Sequence, residues 1–260
     1  MKDIRVGTSG WRYRHWRGVF YPQTLPTRKW LRYYTEYFDT VEVNATFYGT
    51  IKPRTLKAWL EETPEDFIFA VKASRYITHI RKLREVREPL LRFYASLEPL
   101  YPKLGVILFQ LPPGLSYHPE IMEEFLALLP REFPVALEIR HASFHCTEFL
   151  SQLKRYGVAL CLSDTAGRYP SLFPALTADF TYLRLHGSRT LYRSCYTEEE
   201  LREWSRKIRS FQVARVYVYF DNDALGWAPE NALRLKELLG LPTRELPPEA
   251  RQILAGRPKD

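Results

Sequence analysis

FTYLRLHG, residues Phe180 to Gly187, carries in eight residues the pattern on which the whole chain is built. It is a short β-rich run that ends in polar residues. Arg184 and His186 lie two residues apart and share one strand face, while Leu183 and Leu185 take the other. An amphipathic segment, Thr197 to Ser210, follows, so the whole reads as one β/α unit.

The same pattern recurs outward along the chain. On the carboxyl side lies Arg215 to Phe220; on the amino side lie Ile4 to Ser9, Thr40 to Asn44, Phe67 to Lys72, Gly105 to Gln110, Val135 to Ile139 and Val158 to Asp164. These runs close on Thr8 and Ser9, Glu42 and Asn44, Lys72, Gln110, Glu138 and Arg140, Asp164, and Asp221 and Asn222. Helical patterns fill the gaps, with Pro53, Pro119 and Pro229 in first turns, where a missing N–H costs little. Eight units predict the α/β class and a single (β/α)8 TIM-like barrel, a fold that assembles its chemistry at the carboxyl ends of the strands. Pro170 and Pro174 leave room for at most a short helix after the sixth strand, so that connection is degenerate. A doubly wound open sheet is the competing architecture.

Length and composition fit one barrel. The chain has 260 residues, 45% of them hydrophobic, and no Gly/Ser-rich linker or internal repeat divides it. Residues 1–240 are expected to form the barrel domain and 241–260 a short Pro- and charge-rich extension. The opening MKDIRVGTSGW lacks an apolar signal core, and no run approaches the roughly 18 apolar residues of a membrane span. A cytoplasmic protein with no membrane partner is expected. Cys146, Cys161 and Cys195 have neither disulfide-framework nor zinc spacing. The net charge of +8 makes acidic partners plausible, and arginines cluster at Arg12, Arg14 and Arg17 and again from Arg75 to Arg92. A solvated basic surface is the simpler account of those clusters.

Strand-end parity selects the candidate site. Glu42, Glu138 and Asp164 offer carboxylates that could divide acid and base roles. Lys72, Arg140 and Arg184 could equally neutralise them in a buried network. Lys72 could form a Schiff base if desolvated, though positioning an anion asks less of it. His186 could transfer protons, and Gly187 beside it would let a substrate approach the backbone. Glu42, Glu138, Asp164 and His186 could together hold a divalent metal, but the nearby cations compete for the carboxylates, so no metal is assigned and the cofactor is left open. Gly7 and Gly10 with Trp11, Tyr13 and Trp16 could cradle an anion and stack on a sugar or base, or form an aromatic lid packed on the barrel.

Taken together, GTSGW, VEVNATFY, FIFAVKASRYITH, FQLPP, LEIRHASF, LRLHG and YFDNDALGWAPENA resemble the YecE-like family, domain of unknown function family 72, from about Ile4 to Gly240. The resemblance implies a TIM-like barrel with a polar pocket at the strand carboxyl ends. Matching pocket positions are Glu42, Asn44, Tyr48, Lys72, His79, Gln110, Glu138, Arg140, His141, Asp164, Arg184, His186 and Asn222. Ala45, Phe144 and Asp221 depart from the usual serine, tryptophan and asparagine, which places them at the pocket margin. The expectation is an enzyme of hydrolase or isomerase type. Glu42, Glu138, His186, Lys72 and Asp164 would be catalytic, and Asn44, Tyr48, His79, Gln110, Arg140, His141, Arg184, Asn222 and Trp11 would bind a small polar, anionic or sugar-like substrate. A nucleic-acid-binding or nucleic-acid-processing protein is the alternative, and the oligomeric state is left open.

Overall fold

Apolar runs too short for helices and flanked by turn residues extend into eight strands, and the amphipathic segments between them fold back over their outer faces. A computed structural model describes residues 2–257. The strands are β1 Asp3–Thr8, β2 Thr40–Val43, β3 Ile68–Lys72, β4 Leu104–Gln110, β5 Val135–Glu138, β6 Ala159–Asp164, β7 Phe180–Leu185 and β8 Arg215–Phe220. All pair in parallel in the order β1-β8-β7-β6-β5-β4-β3-β2. The α-helices are α1 Trp30–Tyr34, α2 Ala45–Tyr48, α3 Pro53–Glu62, α4 Arg87–Leu97, α5 Pro119–Ala127, α6 Thr147–Tyr156, α7 Glu198–Ser210, α8 Trp227–Leu239 and α9 Pro248–Ala255. This is a nearly closed (β/α)8 barrel. Between β6 and β7 only turns and extended chain occur, as Pro170 and Pro174 require.

The seam of the barrel lies between β1 and β2, which share a single bridge, Ser9 to Glu42. Here Tyr34 takes over the work of a ladder. Its hydroxyl accepts from the Thr8 N–H at 3.0 Å and donates to the Thr40 carbonyl at 3.1 Å. Gly7 makes that approach possible, since a Cβ there would stand 2.3 Å from the Thr40 oxygen. Tyr34 is wholly buried, so removing its hydroxyl strands one donor and one acceptor. Tyr34→Phe is therefore expected to cost about 2–4 kcal/mol, measured by urea unfolding. A change under about 0.5 kcal/mol, the ordinary scatter of surface substitutions, would show that the seam holds without it.

Two cores follow from strand parity. Outward residues such as Val41, Phe69, Phe109, Leu137, Leu183 and Val218 pack under the helices. Inward residues fill the barrel, with Ala70, Ala136 and Ala159 making room for Phe180, Tyr182, Tyr217 and Tyr219. Past Gly240 the chain returns to the barrel, where Leu246, Ala250 and Leu254 are buried in the outer core. No helix among the described residues is long and apolar enough to cross a membrane.

Candidate active site

Above the tyrosines, the inward faces of the strands turn from apolar to polar, and on β2, β3, β5 and β7 to charged. Arg184, fully buried on β7, is the hub. Its Nε donates to Glu42 Oε2 at 3.0 Å and its Nη2 to Glu42 Oε1 at 2.8 Å, a bidentate pair between β7 and β2. Its Nη1 reaches across to Glu138 Oε2 on β5 at 2.9 Å. Glu42 also accepts from Ser9 Oγ at 2.8 Å and Tyr182 Oη at 2.7 Å, while Glu138 accepts from Arg140 Nε at 2.9 Å. Both carboxylates are fully buried. Burial alone would raise the Glu138 carboxyl, but Arg140 and Arg184 outweigh it and hold the group well below the usual carboxylate range.

Beside the hub stands an imidazole–carboxylate pair. His186 Nε2 lies 3.2 Å from Arg184 Nη1, a group that can only donate, so Nε2 accepts and the proton sits on Nδ1. Nδ1 is 2.9 Å from Asp221 Oδ2, although the N–H points off the line to that oxygen. Asp221 also sits 3.3 Å from Arg184 Nη2. Burial pushes its carboxyl up, and the contacts with His186 and Arg184 more than reverse this. Tyr192, at φ 65°, packs its ring edge-on to His186 with centroids 5.2 Å apart.

Lys72 has a different environment. Its Nζ lies 4.2 Å from the centroid of the Phe47 ring, and among the described residues no carboxylate comes within ion-pair distance. Burial, reinforced by Arg184 and opposed by Glu138, Glu42 and Asp221, brings its pKa down to about 8. His79 packs edge-on to the same ring at 5.0 Å; burial and the cations Lys72 and Arg140 lower its pKa to about 4. Arg140 closes this side, its guanidinium stacked 4.6 Å from the Tyr169 ring centroid.

The barrel thus brings together Glu42, Lys72, Glu138, Arg140, Arg184 and His186. Asn44 continues the inward face of β2, and its Oδ1 is buried without a hydrogen-bond partner. Gln110 is buried, its amide donating to the Leu111 carbonyl at 2.9 Å. Tyr48 stands 75% exposed at the rim.

Other expected members lie elsewhere. Asp164 points out of the barrel, where it accepts from Tyr196 Oη at 2.9 Å and from the Ala166 N–H at 3.2 Å. Its inward neighbour is Ser163, which donates to Glu138 at 3.4 Å. Asn222 likewise faces outward, donating to the Ser194 carbonyl at 3.0 Å and to Asn231 at 2.8 Å. His141 caps the short turn Ala142–Phe144 through Ser143. Trp11 is no stacking platform: it is buried against Trp59 of α3, centroids 4.9 Å apart. The space at Gly187 is not open to a substrate either, for a Cβ there would stand 2.6 Å from the Thr190 oxygen. With Asp164 turned away and both glutamates bound to Arg184, the four carboxylate and histidine candidates do not form a metal-ligand set.

Ser9, Tyr182, Ser163 and Asp221 complete the network without having been singled out for it. Asp221 is central, where its departure from the family pattern had placed it at the margin. A period-two signal was present, since Tyr217, Tyr219 and Asp221 share the inward face of β8 and its extension, as Tyr182, Arg184 and His186 do on β7. Two cavities of the molecule lie away from this site. One of about 560 Å³ lies beside α7, α8 and the C-terminal segment, and one of about 570 Å³ opens at the amino ends of the strands. The charged cluster claims attention for its chemistry, not for its volume.

Comparison with known proteins agrees with this architecture. Residues 5–254 match the family described as "Protein of unknown function DUF72". UPF0759 protein YunF of Bacillus subtilis is 29% identical over 284 residues, covering 94% of this chain and 98% of YunF. UPF0759 protein YecE of Escherichia coli K12 is 34% identical over 125 residues, 45% of this chain and 46% of YecE. The crystal structure of a DUF72 family protein from Thermotoga maritima superposes with a TM-score of 0.81 at 32% identity, covering 92% of this chain and 99% of that one. The chain is a member of the YecE-like DUF72 family.

Proposed function

We propose that the barrel mouth is the active site of an enzyme, of hydrolase or isomerase type, acting on a small polar substrate that is anionic or sugar-like. The observation that carries this reading is Lys72, a desolvated cation with no carboxylate in ion-pair range, set near Arg140 in a pocket whose other charges are paired. A purely structural network would have no reason to leave that amine without an acid partner. The unpartnered Asn44 Oδ1 supplies a further contact for a ligand. Glu42 and Glu138 are best cast as partners that fix Arg184, since each accepts hydrogen bonds from its guanidinium and from two further side chains. Proton transfer then falls to His186 with Asp221, and to Lys72. A cytoplasmic location belongs to the same reading.

The test is a thermal-shift screen of a metabolite library against the wild type and Lys72→Met. Polar carbonyl, sugar and carboxylate compounds are expected to stabilise the wild type and to lose at least tenfold in affinity with the variant. Hits that bind both proteins equally would place ligand binding elsewhere.

One observation favours nucleic acid as a second reading: Tyr48 and Tyr76 are exposed at the rim, Tyr76 next to exposed Arg75. Oligonucleotide affinity that falls steeply with salt, with a slope reduced by Arg75→Gln, is the expected signature. Absence of binding at low salt removes this reading.

A further inference from the structure

Lys72 differs from the other shielded lysines of the chain in what surrounds its nitrogen. Lys2, Lys103 and Lys236 each direct their ammonium at backbone carbonyls, Lys236 at the Tyr37 oxygen 2.9 Å away and Lys103 at two carbonyls and the Thr63 hydroxyl. Those are ammonium sites, with acceptors for the N–H groups. Lys72 Nζ has no oxygen acceptor among the described residues and faces the Phe47 ring. The residue is nevertheless only partly buried, so a molecule entering the mouth can reach it. Arg184, whose charge acts on Lys72 from the opposite wall, and Arg140 sit at the same end of the barrel, and a neighbouring cation is one of the standard means of keeping a lysine amine neutral and nucleophilic.

Building on the active-site reading above, we infer that Lys72 is a covalent nucleophile and that the substrate class is a small polar aldehyde or ketone, such as a sugar in its open-chain form, held as a protonated imine. The Nζ lone pair forms the C–N bond, and the carbonyl π pair moves to oxygen, which takes one proton from nitrogen. A second proton from solvent converts that hydroxyl to water; the C–O bond breaks, and nitrogen keeps its remaining proton in the iminium. The carboxylates Glu138, Glu42 and Asp221, which already act on the Lys72 charge, are placed to favour the cation so formed. His79, neutral near pH 7, stands beside the same ring as a base for a proton on the carbon next to the imine.

The experiment uses the full chain, glyceraldehyde as the probe and cyanoborohydride as the trap, with labelled lysines located by peptide mass spectrometry. An amine of pKa about 8 is roughly one-tenth neutral at pH 7, against about one part in a few thousand for an ordinary lysine. Lys72 is therefore expected to label at least tenfold faster than surface lysines such as Lys57 and Lys154 at pH 7, with the advantage shrinking above pH 10. His79→Phe keeps the packing on Phe47 and leaves the amine in place, so trapping should persist in that variant while exchange of the probe's α-hydrogen with deuterium slows. Labelling of Lys72 at the surface rate overturns the covalent role. If Lys72→Met still abolishes library binding in that case, the active-site reading stands with Lys72 as an ionic contact; if it does not, both fail.

Discussion

Arg184→Met is expected to lower stability by about 3–5 kcal/mol, because it removes one partner of a buried charge network and leaves the others behind. Glu42 loses its bidentate partner and keeps only the Ser9 and Tyr182 hydroxyls, whereas Glu138 retains Arg140. The loss should therefore be felt most at Glu42. The double variant Arg184→Met with Glu42→Gln is expected to recover part of the stability, since an amide tolerates the site better than an unpaired carboxylate. Chemical denaturation of the two variants and the wild type at pH 7 checks both statements. A loss below 1 kcal/mol in the single variant would mean that the network contributes little net stability.

A second large effect is expected at Glu138, with a defined pH window. Its folded-state pKa lies below the unfolded value of about 4.3. Its contribution is therefore complete above the ordinary carboxylate range and drains away as the pH falls toward the folded value. The stability gap between wild type and Glu138→Gln is expected to be about 3–5 kcal/mol and flat between pH 8 and 5. Below pH 4 it should shrink by up to about 1.4 kcal/mol per pH unit. Urea titrations at pH 7, 5 and 3 measure this. A gap that stays constant down to pH 3 would contradict the ionised, doubly paired state.

The fold was legible because nearly every β-rich run closes on polar residues at or just past the strand end and, β6 excepted, is followed by an amphipathic segment, a pattern that survives the twisting of the barrel. The hub was partly legible for the same reason: Arg184 and His186 declare a common face by spacing alone. Asp164 was misplaced because β6, ALCLSD, is buried on both sides, so hydropathy gives no sign that Cys161 and Ser163 point inward and Asp164 outward. Asn222 failed by the same one-residue slip on the chain after β8, with Asp221 taking the inward place. Trp11 was assigned to substrate binding, with packing on the barrel as the alternative, and only the tertiary position of Trp59 decides for packing. The Tyr34 splice had no local signal, because its hydroxyl reaches back 26 residues to Thr8 as well as forward to nearby Thr40.

The tyrosine layer beneath the charged cluster also determines from which side the cluster can be wetted. Tyr182 and Tyr219, both wholly buried, stand between the charges and the cavity at the amino ends of the strands, which ends against Phe180 and Tyr217. The barrel is thus plugged from below and open from above, a one-ended vessel. Protons and water exchanged by Glu42, Arg184 and His186 must pass the same opening as any ligand. A molecule seated over Lys72 and Arg140 would stopper that opening and cut the charges under it off from bulk solvent.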